Sequence, residues 1–210
     1  MWNPKASRVA FRTAVALALA TAALTAAAFA GQEPAGQPAA MSPEEQKAME
    51  AWAKAATPGP QHQQLAAMAG DWTVESTMWM SPEKPPEKST GTAERTMILG
   101  GRVLKEKVSA TMMGQPFEGL GLAGYDNVTG NWWGTWTDNL GTGVMLSSGT
   151  CSSDGKCEST GTFVDPMTGK EARMRMTSEH QPDHEVHRMY GAGPDGKEFL
   201  NMELHYTRVK

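Results

Sequence analysis

Cysteine is nearly absent from this 210-residue sequence, which has only Cys151 and Cys157. Two cysteines cannot build a multi-bridge scaffold or a thiolate zinc cluster, and their spacing is not the C-x-x-C of a dithiol oxidoreductase. Positive charge is also scarce. Lys and Arg number 19 against 23 Asp and Glu, a formal net of −4, which argues against nucleic acid as a partner. Aromatic residues make up only 7% of the chain, although seven of them are Trp. No His-Glu-x-x-His, phosphate loop, nucleophile elbow or Ser-His-Asp order occurs, so no catalytic residue, metal ligand or cofactor is read from motifs.

The one long apolar run lies at the N-terminus. Lys5, Arg8 and Arg12 precede it without an acidic residue, and Thr13 to Ala28 is almost entirely Ala, Leu, Val and Thr. Ala28-Phe29-Ala30 then fits the small-x-small cleavage pattern. The expectation is a signal peptide over residues 1–30, cleaved after Ala30, and a periplasmic or secreted product. The alternative is an uncleaved anchor, but an Ala-rich run of about 18 residues sits at the lower limit for spanning. Without the leader, 16 basic residues face 23 acidic ones, a net of −7. Such a chain has no attraction to anionic membranes and no stable membrane insertion is expected.

Export would place the two cysteines in an oxidising compartment. In Cys151-Ser-Ser-Asp-Gly-Lys-Cys157, a loop Ser153-Asp154-Gly155 with Gly155 in the left-handed region sets the cysteines opposite each other. A cross-strand disulfide is expected, contributing roughly 2–2.5 kcal/mol through its short loop. A redox-active pair is the competing reading, with little beyond Lys156 to lower a thiol pKa.

Residues 31–41 form a Pro/Gly/Ala/Gln linker. Residues 42–69 read as one or two short helices. Ser42, Pro43 and Glu45 make an N-cap and capping box, and Met49, Trp52, Ala53 and Ala56 share one face. Thr57-Pro58-Gly59-Pro60 ends that helix, and a second runs from about 61 to 69 with Leu65 and Met68 inward.

From residue 70 to 210 the hydrophobic period changes to two. Gly (22) and Pro (13) punctuate the chain, and ten strands are expected near 71–80, 89–99, 102–112, 117–125, 131–138, 142–151, 157–164, 170–178, 184–190 and 197–208. Gaps of two to six residues are too short for crossover helices, so consecutive strands pair antiparallel. The expected fold is all-β, an antiparallel up-and-down barrel of about ten strands; a β-sandwich is the alternative. A ten-stranded barrel encloses room for more than its own side chains.

Gly70-Asp71-Trp72, ahead of the first strand, with Arg208 ending the last, resembles the lipocalin-like (calycin) barrels. That resemblance implies that Arg208 packs on Trp72 and closes the barrel. Further along, Leu99-Gly-Gly-Arg102, Gly114-Gln-Pro-Phe117-Glu-Gly119, Gly124-Tyr-Asp126, Trp136-Thr-Asp138, Asp165-Pro-Met-Thr-Gly169, Gly193-Pro-Asp-Gly196-Lys-Glu198 and Tyr206-Thr-Arg208 follow in order. Over about residues 60–208 this series resembles the bacterial domain of unknown function 1579 family. The likeness implies a barrel-like fold and no particular activity.

Candidate ligand-binding residues are Trp79, Trp132, Trp136, Asp138, Arg175 and His187, with Trp133, Arg173 and Glu185 as further wall positions. Three other readings compete with them. Met-rich pairs such as Met78/Met80 and Met174/Met176 suit Cu(I), but Met equally fills irregular cavities. His180, His184 and His187 could hold zinc only through an unusual turn, because residues 184 and 187 point to opposite faces of a strand. His205 could ligate haem only if the last strand turned that face inward, whereas Arg208 inside the barrel turns it outward. The resulting expectation is an exported barrel binding a small, largely apolar molecule. The competing readings are an enzyme using buried acid–base groups and a solid-cored interaction module.

Overall fold

The computed structural model describes residues 41–193 and 195–210. The expected leader, all but Met41 of the linker, and Pro194 lie outside the described residues.

Among the described residues two helices precede the sheet: α1 (Pro43–Ala56) and α2 (Pro60–Ala67). The α1 capping box is formed as the sequence requires: the Ser42 hydroxyl accepts from the Glu45 amide, and the Glu45 carboxylate accepts from the Ser42 amide. Its apolar face is not buried among the described residues. Trp52 is 78% exposed, Met49 is also exposed, and no α1 residue is buried. The C-terminal end is tied to the barrel. Arg102 donates to the Ala56 carbonyl, and Asn127 donates to the carbonyls of Lys54, Ala55 and Thr57. α2 instead buries Leu65 and His62 against the sheet.

Ten strands follow: β1 (Gly70–Met78), β2 (Glu87–Ile98), β3 (Val103–Met112), β4 (Gln115–Asp126), β5 (Asn131–Asp138), β6 (Met145–Cys151), β7 (Lys156–Val164), β8 (Glu171–His180), β9 (His184–Ala192) and β10 (Glu198–Arg208). Each pairs antiparallel with its sequence neighbours, and β1 pairs with β10 to close the barrel. Closure removes the free edges of an open sheet. The connections use the turn chemistry of the sequence. Gly155 sits at φ 85°, and Met113-Gly114 forms a tight turn with both residues at positive φ.

Register decides what faces inward. Trp72 pairs with Arg208 and Ala93, and Ala93 pairs with Val108. Followed around the barrel, the inward set includes Arg95, Glu106, Phe117, Trp132, Trp136, Met176, Glu185, His187 and Tyr206. The packed core, formed by Trp72, Val74, Ala93, Val108, Phe117 and Tyr206, lies on β1–β4 and β10. Inward positions on the opposite wall are small: Gly134, Ser147, Gly149, Ser159 and Gly161. Small side chains there leave the interior unfilled, which opens a cavity of about 1370 Å³.

Candidate functional site

The α2 end of the cavity is floored by charged and aromatic residues. Arg95 on β2 is 4% exposed and Glu185 on β9 is 4% exposed. The guanidinium donates from Nη1 to Glu185 Oε2 at 2.6 Å, from Nη2 to Glu185 Oε1 at 3.3 Å, and from Nε to Glu106 Oε1 at 2.7 Å. It also lies 4.3 Å from the Tyr206 ring centroid and 5.1 Å from that of Trp72. Burial alone would disfavour both charges. The neighbouring Arg95 charge, with His180, more than offsets this for Glu185 and holds its carboxyl well below the usual carboxylate range. Glu106 and Glu185 likewise raise the Arg95 pKa above its ordinary value. Burial pushes the Tyr206 phenol well above its usual pKa, so it stays neutral.

Beneath this floor, Trp72 is 1% exposed and donates from Nε1 to the Met68 carbonyl. Arg208 lies 4.2 Å over the same ring. Its three nitrogens donate to the carbonyls of Pro182, Ala69 and Ala67. Arg208 therefore ties the last strand to the end of α2 and to the β8–β9 turn. Nearby, His62 of α2 meets Tyr125 edge-on, and Tyr125 meets Trp132.

Trp136 lies flat on the cavity wall because β4 offers glycine beneath it. A Cβ at Gly119 would overlap the six-membered ring of Trp136, and one at Gly121 would lie 3.2 Å from Cε3. Trp136 stacks with Phe117 at 6.4 Å and donates from Nε1 to Asp138 Oδ2 at 2.9 Å. Asp138 Oδ1 accepts from the Leu140 amide, so this carboxylate fixes the indole and the loop after β5 together. Met112, Met145, Met174, Met176, Met189 and Met202 also line the cavity. Unbranched thioethers make that wall adaptable.

His187 faces the cavity on β9, and its Nδ1 lies 2.6 Å from Ser178 Oγ. Burial lowers its pKa to about 4, so the imidazole is neutral at pH 7. The pair has the distance of a serine–histidine couple, but among the described residues no carboxylate is hydrogen-bonded to His187. An imidazole that releases its proton near pH 4 is also a weak acceptor for a serine proton. The arrangement provides a neutral hydrogen-bonding spot on an otherwise apolar wall.

Of the candidate positions from the sequence, Trp132, Trp136, Asp138 and His187 line the cavity. Trp79 does not: it follows β1, half-buried, with its amide donating to the Asn201 carbonyl. Arg175 is on the outer face, where it pairs with Glu198 at 2.8 Å and covers the Tyr190 ring. Arg173 is also outside, paired with Glu171. Strand alternation explains both, since residues 173 and 175 share a phase opposite to the inward Met174 and Met176. Met80 is exposed beyond β1, so it does not join Met78 as a pair.

His180 and Glu185 meet inside at 3.0 Å, while His184 lies outside against His205 with ring centroids 5.7 Å apart. The three histidines near β9 therefore do not converge, and among the described residues no group of three His, Cys, Asp or Glu side chains is placed to hold a metal. His205 faces outward and contacts Glu203 at 2.8 Å, which is not the register that the haem reading needs. Cys151 and Cys157 are disulfide-bonded and line the cavity where β6 turns into β7.

The sequence reading singled out neither Arg95 nor Glu106, and His180 only as a candidate zinc ligand. A signal for Arg95 was present: it falls in phase with Ser89, Gly91 and Ala93, the small-residue face of its strand. A charge on that face is either buried and paired or belongs to a different register.

Among the described residues no helix is long and apolar enough to cross a membrane. No curated protein matches the chain. Among solved structures, a protein of the DUF3598 family from Nostoc punctiforme aligns at 11% identity and a TM-score of 0.39, covering 70% of this chain and 49% of that one. Rv2717c from M. tuberculosis aligns at 13% identity and a TM-score of 0.55, covering 73% of this chain and all of that one. The second match shows a shared barrel fold. Residues 57–208 match the family described as protein of unknown function (DUF1579), and the chain belongs to that family.

Proposed function

We propose that the mature chain, beginning at Gly31, is an exported barrel that holds a small, largely apolar molecule in its interior. The observation that carries this reading is the cavity of about 1370 Å³, walled by Trp136, Phe117 and methionines and floored by a few fixed polar groups. Ligand sites combine apolar walls with sparse, well-placed polar groups, and this interior has that composition. Space of that size also disfavours a solidly packed interaction module. The Cys151–Cys157 bond accords with an oxidising compartment.

Native mass spectrometry of the protein purified from its own compartment tests the proposal. The expected result is a chain starting at Gly31 that carries a defined extra mass, lost on unfolding. A chain that retains residues 1–30 would overturn the export reading. A bare mass, together with no uptake of added hydrophobic probes, would overturn the binding reading.

A further inference from the structure

The polar groups at the cavity floor differ in what remains free on each. Arg95 has all three nitrogens engaged with carboxylates, two contacts to Glu185 and one to Glu106. Arg208 has all three engaged with backbone carbonyls beneath Trp72. Both oxygens of Glu185 are taken by Arg95. Glu106 is different. Its Oε1 accepts from Arg95, but among the described residues no hydrogen bond is made by Oε2. Glu106 faces inward on β3 and lines the cavity, so its remaining exposure opens into that space.

We infer that the molecule held in the cavity has an apolar body and a hydrogen-bond-donating end, an alcohol or an amine, received by the free oxygen of Glu106. The inference rests on the interior-binding reading above and specifies its ligand class. A carboxylate end would find every nitrogen of both guanidinium groups already donating to another acceptor. It would also face the Glu106 and Glu185 carboxylates, a repulsion little screened inside a barrel. A donor end meets the carboxylate oxygen that Arg95 leaves unfilled on Glu106, and hydrogen bonds to a charged group are the stronger kind. The neutral His187 and Ser178 pair on the adjoining wall adds no charge that would reverse this preference.

The test uses three probes with the same ten-carbon chain, decanol, decylamine and decanoate, titrated into the mature protein at pH 7 by calorimetry. Decanol and decylamine are expected to bind at least about tenfold more tightly than decanoate, the factor associated with one charge-assisted hydrogen bond. Comparing the alcohol with the amine then tells which donor fits better. In Glu106→Gln, which keeps Arg95 paired with Glu185, the advantage of decylamine over decanoate is expected to disappear. A thermal melt of the variant confirms that it folds. Decanoate binding as tightly as the donors would overturn the inference and leave the interior-binding reading intact. Donor preference that survives in Glu106→Gln would overturn the role of Glu106. If none of the three probes binds, the interior-binding reading and this inference both fail.

Discussion

Arg95 and Glu185, 90 residues apart in sequence, clasp each other inside the barrel at 2.6 Å. They belong to β2 and β9, which are not neighbours; β1 and β10 lie between them. The pair is therefore a strut across the barrel floor, and the cost of burying both charges is met by their mutual contact and by Glu106. Glu185→Gln removes one charge and leaves the guanidinium short of a partner. A loss of about 3 kcal/mol is expected, the scale for breaking a buried pair. Replacing Arg95, Glu106 and Glu185 together by Met, Leu and Leu is expected to cost less than the single change. Urea unfolding of the two variants checks this, and a single-variant loss below about 1 kcal/mol would mean that the pair behaves as a solvated one.

His187 makes stability depend on pH in a defined window. Its pKa falls from an ordinary 6.5 to about 4 on folding. Below pH 6.5 the unfolded chain takes up a proton that the folded barrel refuses. Stability is therefore present in full above pH 6.5 and declines as pH drops toward 4, by up to about 3 kcal/mol. Glu185 acts lower down: its folded pKa is depressed from 4.5, so its contribution is lost only as pH falls below that value. His187→Phe is expected to flatten the dependence between pH 6.5 and 4 and to leave the steeper loss below it. Thermal melts of both proteins across that range decide the point, and an unchanged slope in the variant would assign the dependence to another group.

Gly119 and Trp136 illustrate how a wall position can control the cavity. Gly119 has no need for a positive φ; it is glycine because the indole lies where its Cβ would be. Gly119→Ala must push Trp136 off its seat and away from Phe117 and Asp138. Overpacking of this kind costs about 1–3 kcal/mol. Tryptophan near-ultraviolet dichroism and probe binding are expected to change together. An altered stability with an unaltered indole signal would show that the backbone, not Trp136, had moved.

The barrel was legible in the sequence because its punctuation is local. Asp126 to Gly130, Asp165 to Gly169 and Gly193 to Gly196 mark turns without reference to any distant residue, and the ten expected strands overlap the ten observed. The phase of the last strand was legible too, since Leu204 and Tyr206 alternate with Glu203 and His205. The floor was not. Arg95, Glu106, His180 and Glu185 come from four strands, and a charge on an alternating strand reads the same whether it is solvated or paired across a barrel. Arg175 shows the ambiguity from the other side: one position away from Met174 and Met176, it lies outside on Tyr190. The apolar stripe of α1 is not buried among the described residues, because periodicity records a face without recording what covers it.

Arg208 joins three elements through one side chain, and its replacement separates charge from geometry. It stacks on Trp72, and its fork supplies the last carbonyls of the α2 segment, at Ala67 and Ala69, together with Pro182 of the β8–β9 turn. Arg208→Ala removes a cation–π contact worth about 0.5–2 kcal/mol and leaves three carbonyls without their donors. Arg208→Lys retains the charge but presents a single ammonium that cannot reach all three. If the fork is what holds α2 on the barrel, both variants lose protection against hydrogen exchange over residues 62–70, and Lys recovers only part of it. If the charge on Trp72 is what matters, Lys restores protection fully. Protection unchanged in both variants would mean that Leu65 and Trp72 packing suffices to keep α2 docked without Arg208.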